Sequence, residues 1–542
     1  MQIEVIDTTD RLTACERDWN AVYDADPEAQ VFLSWTWMAN WLAIQTRQWL
    51  VLAARPAPDA PRVAFLPLQL WSEMRDQGGF YNTIRMGGTP FAGYTGILCD
   101  PRFETQAVPA FAEAVAGLNW AELYLDTIAN APRRVALFTD RFPVPEFERL
   151  HFHRSMAGED TDYSVYPIVR VPADFEDYLM TRLKPKVRRN VRAALRGVEQ
   201  GLLRITDADA DSFERDLAIL MRLWEARWAP VKPKPQLDAE ADNHRVMLRA
   251  CFAAGIAGLS LAWRGDTPVA ADGWLVDAKN RSLVGLVSAR DMRPGNPSPG
   301  LVLHLHCLRM AMERGLATYD LQLGNHGYKY MFDPDERVLD CQMIVTASRR
   351  NLRDRLEPRA VPVVFGHAET MHKAGQAALS ASACRQILEV DPDHAGARDL
   401  LQRSGTAGDP ARLAEIGRAR ALAREGKPAE AGRVLAAVLK TQPNSFDARD
   451  MLGLLALQQR RFKDAERELK LAARLAPEIA AVHTHWGIAL SALGRHAPAL
   501  KAFERAAAID PDDPAAHRNR GNALKALGRF DEAMQAFARA GG

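Results

Sequence analysis

The chain has 542 residues, enough for about three or four domains at roughly 150 residues each. With 69 Lys and Arg against 68 Asp and Glu its formal net charge is +1, so no whole-chain field recruits nucleic acid or an acidic membrane, and such binding has to come from a local patch. The six cysteines are scattered with no CxxC pair, which excludes a zinc ribbon or dithiol redox motif and fits a reducing compartment.

The opening MQIEVIDTTDR lacks a basic stretch followed by an apolar one, so no secretory leader is expected. The most apolar early run, VFLSWTWMANWLAI, is too short and too polar to span a bilayer, and the expected location is the cytoplasm. From there to about residue 350, β and α segments alternate. VAFLPLQLWSE predicts strand. Downstream, TPFAGYTGILCD predicts a strand, Glu104 to Gly117 a helix, and AELYLDTI a second strand. The same order returns later. PVAADGWLVDAKNRSLVGLVSAR predicts an antiparallel strand pair, Leu301 to Arg314 a helix, and TYDLQLG a strand after a Gly-Leu step. Asp126 and Asp320 fall in comparable strands. The pattern implies two related α/β domains, 1–163 and 164–350, with a boundary near Asp160 to Pro167.

Between these landmarks lie three segments of distinct character. KPKVRRNVRAALRGVEQ predicts an amphipathic helix with Val187, Val191, Leu195 and Val198 on one stripe and Arg188, Arg189, Arg192 and Arg196 on a basic face. That face is either solvated or a binding surface for phosphate. FERDLAILMRLWEARW places Phe213, Leu217, Leu220, Met221, Trp224 and Trp228 at helical spacing, the pattern of core. The proline-rich APVKPKPQLD is expected to be a flexible loop able to act as a lid.

YDLQLGNHGYKYMF, Tyr319 to Phe332, draws attention because an acid sits inside an apolar strand and a polar turn follows. Alternation puts Tyr319, Leu321 and Leu323 on one side and Asp320 and Gln322 on the other. A polar row in a helix-covered sheet needs partners or a cleft. In a cleft, Asp320 serves as base or orienting acid; otherwise it is a buried acid satisfied by backbone donors of the turn. The Tyr328 hydroxyl can give a proton to a leaving group, or its ring simply packs. Lys329 can hold an anion or lie solvated. Upstream, VSARDMRPGNPSPGLVLHL passes from strand to helix. Ser298 is placed to cap the helix, Pro299 suits its first turn, and Gly300 and Leu301 open a mouth of unpaired N–H groups suited to a pyrophosphate. Arg290 and Arg293 supplement it. His151 and His153 share a strand face with no third ligand nearby. His304 and His306 fall on different sides of a helix, so no metal site is expected.

The last third is periodic. Gly453, Gly487 and Gly521 lie 34 residues apart, as do Pro443, Pro477 and Pro511, and Ala431, Ala465, Ala499 and Ala533. Small residues such as Gly487 and Ala499 let the helices of a hairpin approach, with Phe503 and Ala506 filling the contact. This resembles the tetratricopeptide repeat over 411–542, which implies a helical solenoid binding a protein or peptide partner. Residues 351–410 are expected to be a helical linker with a partial repeat whose Pro392 is out of phase.

The segments KPKVRRNVRAALRGVEQG, LWEARW, GDTPVAADGWLV and SPGLVLHLHCLRMAMERGLATYDLQLGNHGYKYMF together resemble the GNAT-type acyltransferase domain of the CelD-like (cellulose-biosynthesis) family, which is related to FemAB-type transferases. The resemblance covers about 165–335 and, more loosely, the first 160 residues. It implies tandem mixed-sheet α/β domains with a cleft where central strands splay apart. The activity it implies is N-acyl transfer from acetyl-CoA or another acyl-CoA to an amine or hydroxyl of a small molecule or glycan, with Asp320 and Tyr328 as catalytic groups. Arg290, Ser298, Gly300 and Leu301 would then face the carrier, and Gln322, Lys329, Arg188 and Arg192 the substrate. An acceptor in envelope or exopolysaccharide synthesis is the expectation. Alternatives are a FemAB-like transfer from aminoacyl-tRNA held by the basic helix, or a non-catalytic scaffold whose repeats do all the work.

Overall fold

The computed structural model describes residues 1–75, 79–152, 161–291, 298–339, 341–403, 410–477, 479–511 and 513–540. Two compact units divide the chain: one of 1–71, 83–118 and 122–349, the other of 72–82, 119–121 and 350–542. Among the described residues no helix is long and apolar enough to cross a membrane.

The α/β part is built on two sheets. β1 (Gln2–Ile6), β2 (Gln48–Arg55), β3 (Ala64–Arg75), β4 (Gly79–Met86), β5 (Leu98–Cys99), β6 (Glu122–Leu125) and β7 (Phe147–His151) belong to the first. β8 (Val165–Arg170), β9 (Arg204–Asp207), β10 (Ala257–Arg264), β11 (Thr267–Asp277), β12 (Ser282–Arg290), β13 (Thr318–Asp320) and β14 (Asp335–Val338) form the second. β15 (Gln342–Thr346) returns to the first.

Strand order is β1-β2-β3-β4-β6-β15-β7 in one sheet, with β5 on β3, and β9-β10-β11-β12-β13-β8-β14 in the other. In each, a strand, a helix and a parallel strand follow one another: β4, Glu104–Ala116, β6, and β12, Pro299–Glu313, β13. The two orders match place by place, which is the repetition the sequence pattern implied. The sixth place is exchanged. β8 fills it in the second sheet from in front of that half, and β15 fills it in the first from behind the second half. Gln342–Thr346, grouped by sequence with 164–350, is thus a strand of the first sheet. A short apolar run fits the pleat of any sheet that lacks a neighbour, so nothing in its pattern names which one.

The helix Phe213–Trp228 buries Phe213, Leu217, Leu220, Met221 and Trp224 against Leu259, Leu261 and Ala271 of the second sheet, with Trp228 at the margin, as its spacing predicts. The expected lid loop is different. A helix, Lys234–Ala253, begins inside APVKPKPQLD, because a proline in the first turn gives up no hydrogen bond and its fixed φ suits helix.

The repeat region consists of helix pairs: Pro410–Arg424 with Pro428–Thr441, Phe446–Gln458 with Phe462–Leu475, Ala480–Ala492 with His496–Ile509, and Pro514–Ala526 with Phe530–Ala540. The glycine period has a direct cause. A Cβ at Gly453, Gly487 or Gly521 would stand 2.4 Å from Leu469 Cγ, 2.4 Å from Phe503 Cε1 and 2.5 Å from Phe537 Cε1 respectively. A second period, not noticed in the sequence, closes the turns between pairs. Arg449 Nε donates to the Pro443 carbonyl at 2.7 Å, and His483 and His517 Nε2 contact those of Pro477 and Pro511 at 3.1 and 2.7 Å. Arg398 donates to the Pro392 carbonyl in the same way, so the out-of-phase segment carries the same device. The expected linker is itself helical, with Val361–Lys373 and Ala377–Val390 turning at Gly375 and a short helix, Ala395–Arg403, after them. Gly487→Val is expected to destabilise the repeats by about 1–3 kcal/mol through overpacking on Phe503, read as a lower urea midpoint of the helical circular-dichroism signal.

Candidate active site

β12 and β13 run side by side for Ser282↔Thr318, Leu283↔Tyr319 and Val284↔Asp320. β13 then gives way to a turn in which Gln322 (φ 62°) and Gly324 (φ 97°) take left-handed backbone, while β12 continues to Arg290 with, among the described residues, only β11 paired to it. The strands therefore part after Val284. The free edge of β12 is a row of backbone groups available to a bound molecule.

The helix Pro299–Glu313 starts near the end of that edge. Pro299 lies in its first turn as expected. Ser298 holds the N-cap position, and its hydroxyl makes no cap bond to the first turn. Gly300 lies against Arg290, whose Cδ is 3.8 Å from where a Cβ would sit. Leu301 is partly buried against two apolar clusters, one with Leu305 and one with Val302, so its side chain packs the helix onto the sheet. Arg293 lies outside the described residues, as do His153 and Asp160.

On the helix-covered face, the Tyr319 hydroxyl is 2.8 Å from His304 Nδ1. The Tyr328 ring stacks between His304 (5.6 Å, 22°) and His326 (6.1 Å, 20°) and remains 44% exposed. Burial of its hydroxyl and the Asp272 charge push Tyr328 up to about 12, and Arg290 pulls the other way. Burial holds His304 down at about 4, with Lys329 acting in the same direction. His306 points away, to Asp207 at 2.8 Å.

Asp320 and Gln322 share a side, as alternation predicts, but that side is covered. Asp320 is 3% exposed; one oxygen accepts from Tyr94 of the first half, and the other from the Gln322 backbone N–H at 2.7 Å. Its carboxyl is raised by burial, against the pull of Tyr94 and the Gln322 N–H. Gln322 presses its amide oxygen to within 1.9 Å of where a Cβ on Gly93 would be, and the Tyr166 hydroxyl donates to the Gly93 carbonyl at 2.5 Å. Lys329 is neither solvated nor open to an anion. It is 3% exposed and donates to the Gln322 and Leu323 carbonyls at 2.8 and 2.7 Å, with burial lowering it to about 8. Asp320, Gln322 and Lys329 therefore hold the turn and dock it to the first half, and do not line the opening. The sequence reading lacked the covering loop, 226 residues away from Asp320 at Tyr94.

Another carboxyl lies nearer the opening. Asp272 of β11, inside the segment PVAADGWLV, is 7% exposed and sits across from Ser288 of β12. Burial lifts it to about 7, partly offset by a Ser288 hydrogen bond and by His306. It gives the same signal as Asp320, an acid amid apolar strand residues, and was open to the same inference.

The helix Pro185–Glu199 buries Val191, Ala194 and Gly197 and exposes its basic face. Arg188, Arg189, Arg192 and Arg196 line one hollow of about 450 Å³. Arg192 Nη2 donates to Glu176 Oε2 at 3.3 Å, and Arg188 Nη2 donates to the Leu183 carbonyl at 3.4 Å.

Comparison with known proteins bears on both parts. Residues 185–330 match the acetyltransferase (GNAT) domain, spanning the basic helix, β12, the helix Pro299–Glu313 and the turn. Residues 416–478 match the tetratricopeptide repeat, and residues 487–528 the TPR repeat. No curated protein matches the chain. Among solved structures, FemX is similar at 10% identity over 63% of this chain and 97% of its own, with a TM-score of 0.43. MamA is similar at 21% identity over 32% of this chain and 91% of its own, with a TM-score of 0.22. Likenesses this low carry no conclusion. From the family matches, the chain combines a GNAT-type acetyltransferase domain with tetratricopeptide repeats.

Proposed function

We propose that the second half transfers an acyl group from a thioester on an anionic carrier, acetyl-CoA in the first instance, to an amine or hydroxyl acceptor. The observation that carries this reading is the parting of β12 from β13 beside a helix mouth where Gly300 and Arg290 meet. A pyrophosphate fits there by charge and by the lack of a side chain at Gly300. The thioester then lies along the free edge of β12, where backbone N–H groups polarise its carbonyl. The acceptor attacks the carbonyl carbon, the C–S bond breaks, and Tyr328 gives its proton to the departing sulfur. Asp320, Gln322 and Lys329 act on this site by fixing the turn that carries Tyr328. The CelD-like resemblance supports an envelope or exopolysaccharide acceptor, with the repeats docking the enzyme to a protein partner.

Calorimetry of the full chain with acetyl-CoA tests the donor. Arg290→Gln is expected to weaken binding about tenfold, the size of one hydrogen bond to a charged group. Absence of wild-type binding at millimolar donor sinks the reading.

The four-arginine hollow favours a second reading, an aminoacyl-tRNA donor. It predicts tRNA affinity that falls steeply with salt, with a slope reduced by about one for each of Arg188, Arg189 and Arg192 neutralised.

A further inference from the structure

The inner side of the repeat region already holds a helix of this chain. First helices of successive pairs lie closer to one another than the second helices do. They therefore line the inside of the curve, the surface on which such stacks take partners. The helix Ala377–Val390 crosses that surface. Its Glu389 accepts from Arg420 Nη1 at 2.7 Å, on the first helix of the first pair. Arg385 meets Asp447 of the second pair at 2.9 Å, with both side chains mostly buried. Ala378 and Leu379 pack with Ile479, Ala481 and Val482 at the third pair. Residues 378, 385 and 389 recur at helical spacing, so one face of the helix makes all three contacts. The rest of the helix is held as well. Gln386 accepts from the Phe80 N–H at 2.6 Å and donates to the Phe80 carbonyl at 3.1 Å, and Ser380 donates to the Ala368 carbonyl at 2.8 Å. Cys384 and Ile387 have no exposure.

Asp447 and Arg420 thus mark two groove positions, and the 34-residue period carries them to Ala515 and Asn522 of the last pair. Arg518 and Lys525, three residues on from each, share that face of the helix Pro514–Ala526. All four are exposed, unlike Asp447 and Arg420 under the resident helix. Ile488, one period before Asn522, is 37% exposed at the edge of the covered stretch. Among the described residues neither Arg518 nor Lys525 pairs with an acid, and the helices Ala480–Ala492 and Pro514–Ala526 contain no Asp or Glu.

We propose that Ala377–Val390 closes the inner groove over the first three pairs, and that the repeats take an acidic segment of a partner protein on the open remainder, at Ile488, Arg518, Asn522 and Lys525. The two cations meet carboxylates of the segment, the Asn522 amide can both donate to and accept from its backbone, and Ile488 supplies an apolar edge. The resident helix sets the limit of the site, because a helix anchored on several faces at once does not make way for a short peptide. The inference stands apart from the acyl-transfer reading.

The test is fluorescence anisotropy of the full chain with labelled hexaglutamate and hexalysine. Hexaglutamate is expected to bind at low salt and hexalysine is not. Arg518→Gln combined with Lys525→Gln should weaken hexaglutamate about tenfold, the joint size of two exposed ion pairs. Binding that survives this change overturns the proposal, as does no binding at millimolar peptide. Binding lost instead on neutralising Arg188, Arg189 and Arg192 would place the peptide on the basic helix and overturns it too. Hydrogen exchange reads the resident helix: amides of 377–390 should be as protected with the peptide as without it. Faster exchange there on binding would mean that the helix is displaced, and would refute its closing role. Light scattering covers another occupant, since a dimer dispersed by the double variant would make a second copy the partner, against the proposal. The double variant should bind acetyl-CoA as the wild type does, so failure of either idea leaves the other standing.

Discussion

Tyr328→Phe is expected to lower kcat with acetyl-CoA by about 10²–10³-fold, within the range for loss of a positioned proton donor. The ring is held by stacking between His304 and His326, and phenylalanine keeps that stacking. The substitution therefore removes a hydroxyl without removing a wedge. Donor affinity should stay within about twofold, because the proposed pyrophosphate site is at Arg290 and Gly300, which adjoin each other. A fall in kcat with KM unchanged marks a group that acts in the transition state. Raised KM at unchanged kcat would show instead that Tyr328 only binds substrate, and the assignment would fail. The neighbouring His304 offers no replacement, since burial keeps it neutral down to about pH 4 and its Nδ1 is engaged by Tyr319.

Arg134→Met should cost the first half about 3–5 kcal/mol of stability, the usual effect of stripping one partner from a buried ion pair. Arg134 is 1% exposed and meets Asp26, which has no exposure, at 2.7 Å. It also meets Glu104 at 3.3 Å and donates to the Ile97 carbonyl at 3.0 Å. Asp26 in turn accepts from the Cys99 N–H at 2.9 Å. The cluster joins the end of the helix Glu16–Ala25, β5 and the helix Pro132–Thr139. Methionine keeps the apolar stem of arginine but leaves Asp26 buried with no positive partner. Guanidinium unfolding followed by tryptophan fluorescence should show an early transition shifted to lower denaturant. An unshifted transition would mean that water replaces the guanidinium at Asp26.

What could be read from the sequence divides along physical lines. The repeats were legible because their causes are local: Gly487 faces Phe503 only 16 positions on, and Gly453 with Leu469 and Gly521 with Phe537 repeat that spacing. The strand–helix–strand units were legible for the same reason, down to the helix Glu104–Ala116. Arg290, Gly300 and Tyr328 share one neighbourhood because a strand end, a helix start and a turn meet there. Asp320 and Lys329 mark the limit. Alternation tells which side a residue faces, but not that Gly93 and Tyr94 of the other half lie on that side. The period of Arg449, His483 and His517 escaped notice because different side chains make the same bond.

The exchange of β8 and β15 bears on how the molecule is made. A ribosome releases the first half long before residue 342, so the emerging sheet waits with β6 and β7 unjoined until Gln342–Thr346 slides between them. During that wait two ribbon edges are bare and prone to pair with other nascent chains. Genes cut at the apparent border near residue 163 would yield an open-edged, clumping product, however natural the cut looks on paper.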